Sequence, residues 1–365
     1  MRSIIRFIVI TLLFVLPSAA RAQADADFVE WVADFRGAAS TAGVSNATFE
    51  RAFRNVTAPD PEVIKLANFQ PEFVSPTWEY FDNRIHEQSV QTGRDKAREW
   101  QAWLDRIEKR FGVDRHILLA IWSVESKYGE VLTDDKIMRN VIRSLATLAY
   151  ADSRRRKFAR TQLIAALKIL QRGDIDESHL AGSWAGAMGH TQFIPTSYQA
   201  YAVDMDGDGK RDIWNSVPDA LATAANLLSK NGWRSGQSWG REVEDGELAP
   251  DGDDGPSFDL NHNFRVLKRY NNADKYALAV GLLADQIAGR KAPAKDWDRP
   301  FTKIGFAEKQ ELQRLLQAKG FYDGEIDGKT GPKSREAIKR YQASVGVEEN
   351  GYPSKETLNH LRRKQ

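Results

Sequence analysis

Apolar residues recur every three or four positions through most of the chain, and this spacing predicts amphipathic helices separated by short loops. It is clearest over residues 94–111, 141–150, 158–172, 220–230 and 276–288. The alternation of apolar and polar residues that marks a half-buried strand is scarce. Residues 249–257 combine proline, aspartate and glycine, which predicts an irregular polar insertion. The pattern therefore predicts a mainly α fold.

Two prolines, Pro293 and Pro300, flank a charged stretch that indicates a linker between a long helical domain and a short C-terminal unit. The predicted boundaries are residues 1–22 for a signal segment, 23–290 for the main domain, 291–302 for the linker and 303–365 for the C-terminal unit. A chain of 365 residues is long enough for more than one domain.

The C-terminal unit shows three helical segments joined by turns. Residues 308–319 have a leucine-rich face and precede Gly320, a residue type that commonly ends helices. The turn at residues 327–332 ends in Gly-Pro and opens the second segment, because proline suits the first position of a helix. Residues 350–353 weakly repeat that turn before the third segment but lack its Gly-Pro ending.

The N-terminus has the pattern of a cleavable signal peptide. Arg2 and Arg6 precede the apolar run from Phe7 to Leu16, and Ala20-Arg21-Ala22 forms a small-x-small site before the cleavage position. The run is too short to span a bilayer comfortably. An uncleaved anchor is the alternative. The favoured interpretation is export to the periplasm and a mature chain that begins near Gln23.

The amino-acid composition excludes several classes of protein. The chain has no cysteine, which excludes disulfides, thiolate catalysis and an acylated lipoprotein cysteine. Its net charge of +2 gives no case for a nucleic-acid partner or for adhesion to an acidic membrane. We therefore expect neither a transmembrane nor a lipid anchor after signal cleavage, and the sequence leaves the protein partners unknown.

One acid stands out on a helix that is otherwise apolar. Asp114 is a good N-cap for a helix over residues 115–127. Leu118, Ile121 and Glu125 fall on one stripe of this helix at spacings of three and four. Desolvation on such a face raises the pKa of a carboxyl, which suits a group that donates a proton near neutral pH. The alternative is a Glu at the edge of the core, paired with Arg or Lys.

A glycine-rich segment follows at residues 183–198. Its glycines allow a ligand to approach the backbone closely, and Ser183 and Gln192 carry short polar groups that can hydrogen-bond hydroxyl and amide functions. Met188 and Phe193 are expected to serve packing. His190 has no partner histidine at helical spacing, so the sequence gives no reason to read it as a metal ligand.

Residues 204–215 repeat the opening of an EF-hand loop. Acids stand at loop positions 1, 3 and 5, which are Asp204, Asp206 and Asp208, and glycine stands at position 6. Hard oxygen ligands at this spacing suit calcium. Position 12 is Asn215, where an EF-hand has a bidentate Glu. The alternative is an Asp/Gly-rich turn without a metal.

The order of these features resembles the B-type lytic murein transglycosylases, which cut the sugar strands of the bacterial cell wall. The resemblance rests on the acid at Glu125, the Gly-Ala-Met-Gly-x-x-Gln-Phe-x-Pro segment at residues 186–195, the Asp-Gly loop and the Arg-Tyr-Asn segment at residues 269–271. The C-terminal unit resembles the small three-helix peptidoglycan-binding domain over residues 303–361. The resemblance implies a lysozyme-like helical catalytic domain joined to a wall-binding domain.

The family also implies roles for particular residues. Glu125 corresponds to the single catalytic acid, and Asp219 corresponds to the carboxylate that closes the calcium loop. Ser183 and Gln192 correspond to substrate-contacting positions. Asn271 and Tyr276 correspond to residues lining the site, with helix capping and core packing as their alternatives. Tyr150 and residues 154–156 are weaker candidates for facing the glycan and its peptide stems.

The implied reaction needs no cofactor. Ordinary glycosidases use two carboxylates, whereas a lytic transglycosylase lets the muramic 6-hydroxyl attack its own C1, an intramolecular step of high effective molarity. Glu125 would first donate and then accept a proton. The expected partner is the peptidoglycan glycan strand, and any calcium would be structural. A muramidase that uses water and a noncatalytic wall-binding scaffold are the alternatives.

Overall fold

The computed structural model describes residues 18–68 and 76–363. The predicted signal peptide falls largely on residues 1–17, outside the described residues. Among the helices described, none combines the length and apolar character needed to cross a membrane.

Helices dominate the described part of the chain. In chain order they are α1 (Ser18–Thr41), α2 (Asn46–Phe53), α3 (Pro61–Asn68), α4 (Thr77–Asp82), α5 (Glu87–Glu99), α6 (Gln101–Phe111), α7 (Arg115–Ser126), α8 (Val141–Ala151), α9 (Arg156–Arg172), α10 (Pro195–Tyr201), α11 (Val217–Lys230), α12 (His262–Tyr270), α13 (Asp274–Ile287), α14 (Phe306–Ala318), α15 (Pro332–Val345) and α16 (Lys355–Arg363). Two antiparallel pairs of strands accompany them: β1 (Arg139–Asn140) with β2 (Ala181–Gly182), and β3 (Gly240–Val243) with β4 (Ser257–Leu260). The predicted mainly α fold is confirmed.

Four of the five helices predicted from periodicity occur within a few residues of the predicted ends. The fifth prediction, one helix over residues 94–111, was wrong. The chain forms α5 and α6 there, and they are separated at Trp100, whose φ of −102° and ψ of 16° depart from helical geometry. No glycine or proline marks this break in the sequence. The predicted polar insertion contains a short 3-10 helix at Gly252–Asp254, but its last residue, Ser257, begins β4.

The chain forms two compact units. In the described residues, the first unit contains residues 18–68 and 96–236, and the second contains residues 76–95 and 237–363. Residues 237–290 therefore group with the C-terminal helices, whereas the sequence suggested a boundary at residue 290. The catalytic and wall-binding boundaries remain predictions about function.

In the first unit, α7 is held along its length by other helices. It packs against α6 and α11, while α8 packs against α9. Leu118 and Ile121 of α7 are fully buried, as is Leu145 of α8. Close packing of this kind leaves little room for a helix to shift. The backbone of α7 is therefore held in a defined position.

In the second unit, β3 and β4 pair with Gly240 opposite Leu260. The nearby Trp239 ring is only 3% exposed, and its Nε1 donates to Asp285 Oδ2 at 3.1 Å. A Cβ at Gly281 of α13 would lie 2.5 Å from that ring. Glycine is required at this position so that α13 can pack against the indole.

The three C-terminal helices enclose a separate apolar cluster. Its buried members are Ile304, Leu312, Leu316, Tyr322, Ala337, Ile338, Tyr341, Leu358 and Leu361. The three-helix prediction is confirmed. Two buried glutamines hold the connecting turns alike: Gln313 Oε1 accepts from Gly328 N at 2.8 Å, and Gln342 Oε1 accepts from Gly351 N at 2.9 Å. The second turn is thus supported like the first, although it lacks the Gly-Pro ending.

The segment predicted as a linker has no helix or strand, yet it is packed within the second unit. The Trp297 ring stacks on Phe81 with centroids 4.0 Å apart. Arg299, with a side chain 3% exposed, donates from Nη2 to Asp82 Oδ1 at 2.7 Å. A buried charge pair of this type resists disruption, because breaking it leaves an uncompensated charge. Residues 291–302 are therefore anchored to α4.

Candidate active site

Glu125 lies near the C-terminal end of α7. The Asp114 side chain caps the other end of the helix by accepting from His116 N at 2.7 Å, as predicted. Trp122 is 1% exposed and Ser126 is fully buried, whereas Glu125 between them is half-buried. The helix thus places a carboxyl group at the edge of a packed interior, with part of its surface open to a ligand.

The chain leaves α7 through three consecutive left-handed residues. Lys127 has a φ of 50°, Tyr128 of 58° and Gly129 of 94°. Such angles cost an L-residue roughly 1–2 kcal/mol, so two non-glycine residues adopt them only where the surroundings impose them. Lys127 N donates to Ser123 O at 2.8 Å, which closes the helix end. This bond ties the turn immediately after Glu125 to the end of α7.

The glycine-rich segment forms a tight loop that hydrogen-bonds to itself. Ser183 Oγ accepts from Ala187 N at 3.1 Å, and Ser183 N donates to Ala187 O at 2.7 Å. Met188 and Phe193 exchange backbone hydrogen bonds, and both side chains are almost fully buried. Their predicted packing role is confirmed. A Cβ at Gly186 would lie 2.8 Å from Leu145, so this loop requires glycine to sit on α8.

Gln192 is half-buried and adopts a φ of 48°. Its Nε2 donates to Gly189 O at 2.8 Å, which holds the side chain against the loop and leaves Oε1 as an acceptor. Ser183 and Gln192 thus belong to the same unit as Glu125, on a loop whose shape is set by internal hydrogen bonds. These features suit a rigid surface that contacts a sugar.

Three carboxylates meet at the predicted calcium loop. Ligand atoms of Asp204, Asp206 and Asp219 lie within 4.8 Å of one another, and Asp219 is fully buried. Asp208 is outside this group, and its Oδ1 accepts from Lys210 N at 2.8 Å. Burial raises the pKa of Asp219 to about 6, although backbone donors such as Met205 N act in the opposite direction.

The three carboxylates fit a hard cation. They offer oxygen ligands only, as calcium prefers, and a cation would compensate the charge of the buried Asp219. Asp212 would contribute to such a cation site less directly. Its Oδ1 accepts from Trp214 N and Asn215 N, and its Oδ2 accepts from Asn215 Nδ2, so the side chain braces the turn in which an EF-hand would have its closing Glu.

A buried ion pair holds the acidic loop at Arg211, away from the three carboxylates. Arg211 Nη2 donates to Asp174 Oδ2 at 2.6 Å, and the Asp174 side chain is 2% exposed. Burial disfavours the charged form of Asp174, but hydrogen bonds from Arg211 and Arg172 hold its pKa below the usual value. Tyr198 Oη also donates to Arg211 O at 2.5 Å. This part of the loop is held by the protein itself.

Asn271 and Tyr276 belong to the second unit. Asn271 is exposed, and its Oδ1 accepts from Ala273 N at 3.1 Å between α12 and α13. Tyr276 is 3% exposed and stacks on Tyr270 with centroids 6.2 Å apart. These contacts match the capping and packing alternatives, and a role in lining the site stays a prediction for both residues.

The weaker candidates lie in the first unit. Tyr150 is half-buried and contacts the Phe28 ring edge-on, with centroids 5.4 Å apart. Arg154 and Arg155 both pair with Asp152. Desolvation opposes ionisation of Asp152, but these two arginines lower its pKa to about 2. Both arginines therefore have internal partners, and their contact with a glycan stays a prediction.

The helical units, the acid on α7 and the adjoining loop define a lysozyme-like protein with an appended three-helix domain. The chain belongs to the family described as Transglycosylase SLT domain, which matches residues 27–247 and 244–285 and so covers more than half of the sequence. Residues 307–361 match the family described as Putative peptidoglycan binding domain. The family suggested by the sequence is confirmed.

Known relatives agree with this assignment. The chain is 30% identical over 236 residues to membrane-bound lytic murein transglycosylase B of Escherichia coli, a match covering 55% of this chain and 64% of the relative. The structure of SltB3 from Pseudomonas aeruginosa, in complex with NAG-NAM-pentapeptide, is 40% identical, covers 92% of this chain and 99% of that one, and has a TM-score of 0.71. The lytic transglycosylase Slt35 of Escherichia coli, in complex with calcium, is 25% identical with a TM-score of 0.55, covering 63% and 84%.

Proposed function

We propose that this protein is a lytic transglycosylase that cuts the MurNAc-GlcNAc β-1,4 bond of peptidoglycan and leaves 1,6-anhydroMurNAc ends. The observation that carries the proposal is the position of Glu125, a half-buried acid between two buried residues at the end of α7. Family membership and the SltB3 complex with a NAG-NAM-pentapeptide support this substrate class.

Glu125 serves both halves of the proposed reaction. It protonates the glycosidic oxygen as the bond to C1 breaks and, as a carboxylate, then takes the proton of the 6-hydroxyl that attacks C1. The attacking group belongs to the substrate, so no second enzyme carboxylate is required. Ser183 and Gln192 are proposed to hydrogen-bond hydroxyl and N-acetyl groups of the bound sugars. Their loop is rigid, which limits the cost of ordering it on binding.

The mass of the products tests this function. Attack by the 6-hydroxyl gives anhydro ends that are one water lighter than hydrolytic products. We expect digests of purified peptidoglycan to show anhydro ends by mass spectrometry, and incubation in ¹⁸O-water to add no label to them. Labelled reducing ends would instead identify a muramidase. Absence of any cleavage would favour the noncatalytic scaffold.

We propose that the C-terminal helices bind the cell wall and raise the local concentration of the enzyme on it. A chain that ends after Thr302 keeps the Arg299 pair with Asp82 and removes α14 to α16. We expect this truncation to lower pull-down by insoluble wall at least ~10-fold while cleavage of soluble glycan changes little. Equal wall binding by both chains, with near-UV circular dichroism showing that each is folded, would contradict the assignment.

We also propose a structural calcium ion at Asp204, Asp206 and Asp219, with Asp208 as an outer contributor. The convergence of three carboxylates supports it. In this proposal the ion is structural and takes no part in bond cleavage. The substrate polymer lies outside the cytoplasm, and the signal-like N-terminus agrees with export to the periplasm.

A further inference from the structure

His190 connects three parts of the first unit. Its ring Nδ1 accepts a hydrogen bond from Trp122 Nε1 of α7 at 3.0 Å, and its carbonyl oxygen accepts from Ser126 Oγ of the same helix at 2.6 Å. Its backbone N donates to Ile213 O at 2.9 Å, within the acidic loop of residues 204–215. One residue of the glycine-rich loop thus holds both α7 and the calcium-loop segment.

The two contacts on α7 bracket the proposed acid. Trp122 and Ser126 are four positions apart and therefore lie one above the other on a single helix face. Glu125 is three positions after Trp122 and directly precedes Ser126. Contacts one turn apart restrain both the rotation and the axial position of this helix end. The carboxyl of Glu125 is carried by the backbone that His190 restrains.

The imidazole also packs closely against the turn after Glu125. A Cβ at Gly129 would lie 2.6 Å from His190 Cε1 and 2.8 Å from its Nδ1. The ring therefore occupies the space that any larger residue at position 129 would need. Lys127 and Tyr128 adopt costly left-handed angles in the same turn, so the ring lies against a strained segment next to Glu125.

The protonation state of His190 agrees with this contact. Burial, together with the nearby Lys96, lowers its pKa to about 4, while Asp212 acts in the opposite direction. The imidazole is therefore neutral at physiological pH. Because Nδ1 accepts from the indole, its proton lies on Nε2.

We propose that His190 is a positioning residue for catalysis: through Trp122 and Ser126 it holds the end of α7 that carries Glu125 against the glycine-rich loop. The inference rests on the proposed function of Glu125. It adds a residue whose importance the sequence did not reveal. Displacement of a catalytic group by about 1 Å can cost roughly 100-fold in rate, so the effect should fall on kcat.

The test compares two substitutions with different hydrogen-bonding capacity. In His190→Asn the amide oxygen can stand near the position of Nδ1 and accept from Trp122, whereas His190→Leu has similar bulk and no acceptor. We expect His190→Leu to lower kcat roughly 10- to 100-fold with little change in KM, and His190→Asn to recover most of the loss. His179→Leu is the matched control, because the His179 side chain is 67% exposed.

A kcat of His190→Leu within twofold of wild type would overturn the proposal, as would equal losses in both His190 variants at equal melting temperature. A measurement on the wild-type protein covers the case in which His190→Leu does not fold. ¹⁵N NMR of the imidazoles should show Nδ1 of His190 unprotonated and Nε2 protonated at neutral pH, with assignment from the spectrum of His190→Asn. A protonated Nδ1 would exclude the Trp122 hydrogen bond and the proposal. If Glu125→Gln remains active, the proposed function fails, while the NMR result still reports on the contact itself.

Discussion

Glu125→Gln is expected to lower kcat for peptidoglycan cleavage by roughly 10²–10⁴-fold, the usual contribution of a general acid and base. Glutamine keeps the shape and much of the hydrogen bonding of glutamate but cannot donate and recover a proton. The fold should be retained, because residue 125 is only half-buried and the α7 core residues are unchanged. The rate is measured as anhydromuropeptide release, with KM and glycan binding determined separately.

Glu130→Gln is the matched control for this prediction. Glu130 is exposed and lies five residues further along, beyond the left-handed turn. The same chemical change there should leave kcat near wild type. A loss of binding without a loss of kcat would assign Glu125 to substrate recognition. Wild-type kcat in Glu125→Gln would remove it as the acid.

Sequence periodicity predicted the helix that presents the acid because the signals on α7 are local. Asp114 has a capping side chain, and the apolar residues after it recur at helical spacing. The three C-terminal helices were predictable for similar reasons, since glycine and proline mark their ends. Where one residue type strongly favours a helix start or a helix end, the sequence alone is sufficient to predict that boundary.

Other features depend on tertiary contacts that periodicity does not report. Trp100 interrupts the helical pattern between α5 and α6 without a breaker residue. The strands β3 and β4 have four residues each, and burial does not alternate along either of them. Lys127 and Tyr128 adopt left-handed angles that their residue types do not favour. Such features arise only when the folded surroundings impose them.

In the candidate site, too, some residues could be predicted from the sequence and others depend on tertiary contacts. The family motif suggested Ser183 and Gln192 as substrate-contacting residues. In the structure both belong to a loop that is held by its own hydrogen bonds. His190 was dismissed as a metal ligand, and its hydrogen bonds to α7 could not be anticipated, because Trp122 lies 68 positions away in the sequence. Glycine at position 129 was a usable clue, since a glycine just after a helix can mark a close approach as well as a C-cap.

Calcium is expected to stabilise the native protein by mass action. At 100 times its dissociation constant, a ligand that binds only the folded state adds about 2.7 kcal/mol to the free energy of unfolding, which corresponds to a rise in melting temperature of roughly 5–10 °C for a domain of about 200 residues. The starting protein must be stripped of metal and verified. Chelation should not unfold it, because the pair between Asp174 and Arg211 holds the far side of the loop without an ion.

The structure separates the predicted ligands into two classes and so provides an internal control. Asp206 is in the carboxylate cluster and Asp208 is outside it. Asp206→Ala should therefore abolish most of the calcium-dependent rise in melting temperature, while Asp208→Ala should retain much of it and the double variant should show none. Equal loss in both single variants would place Asp208 in the site as an EF-hand pattern predicts. A wild-type melting temperature indifferent to calcium would reduce the loop to a turn braced by Asp212 and Asp219, whose side chains already accept backbone hydrogen bonds there.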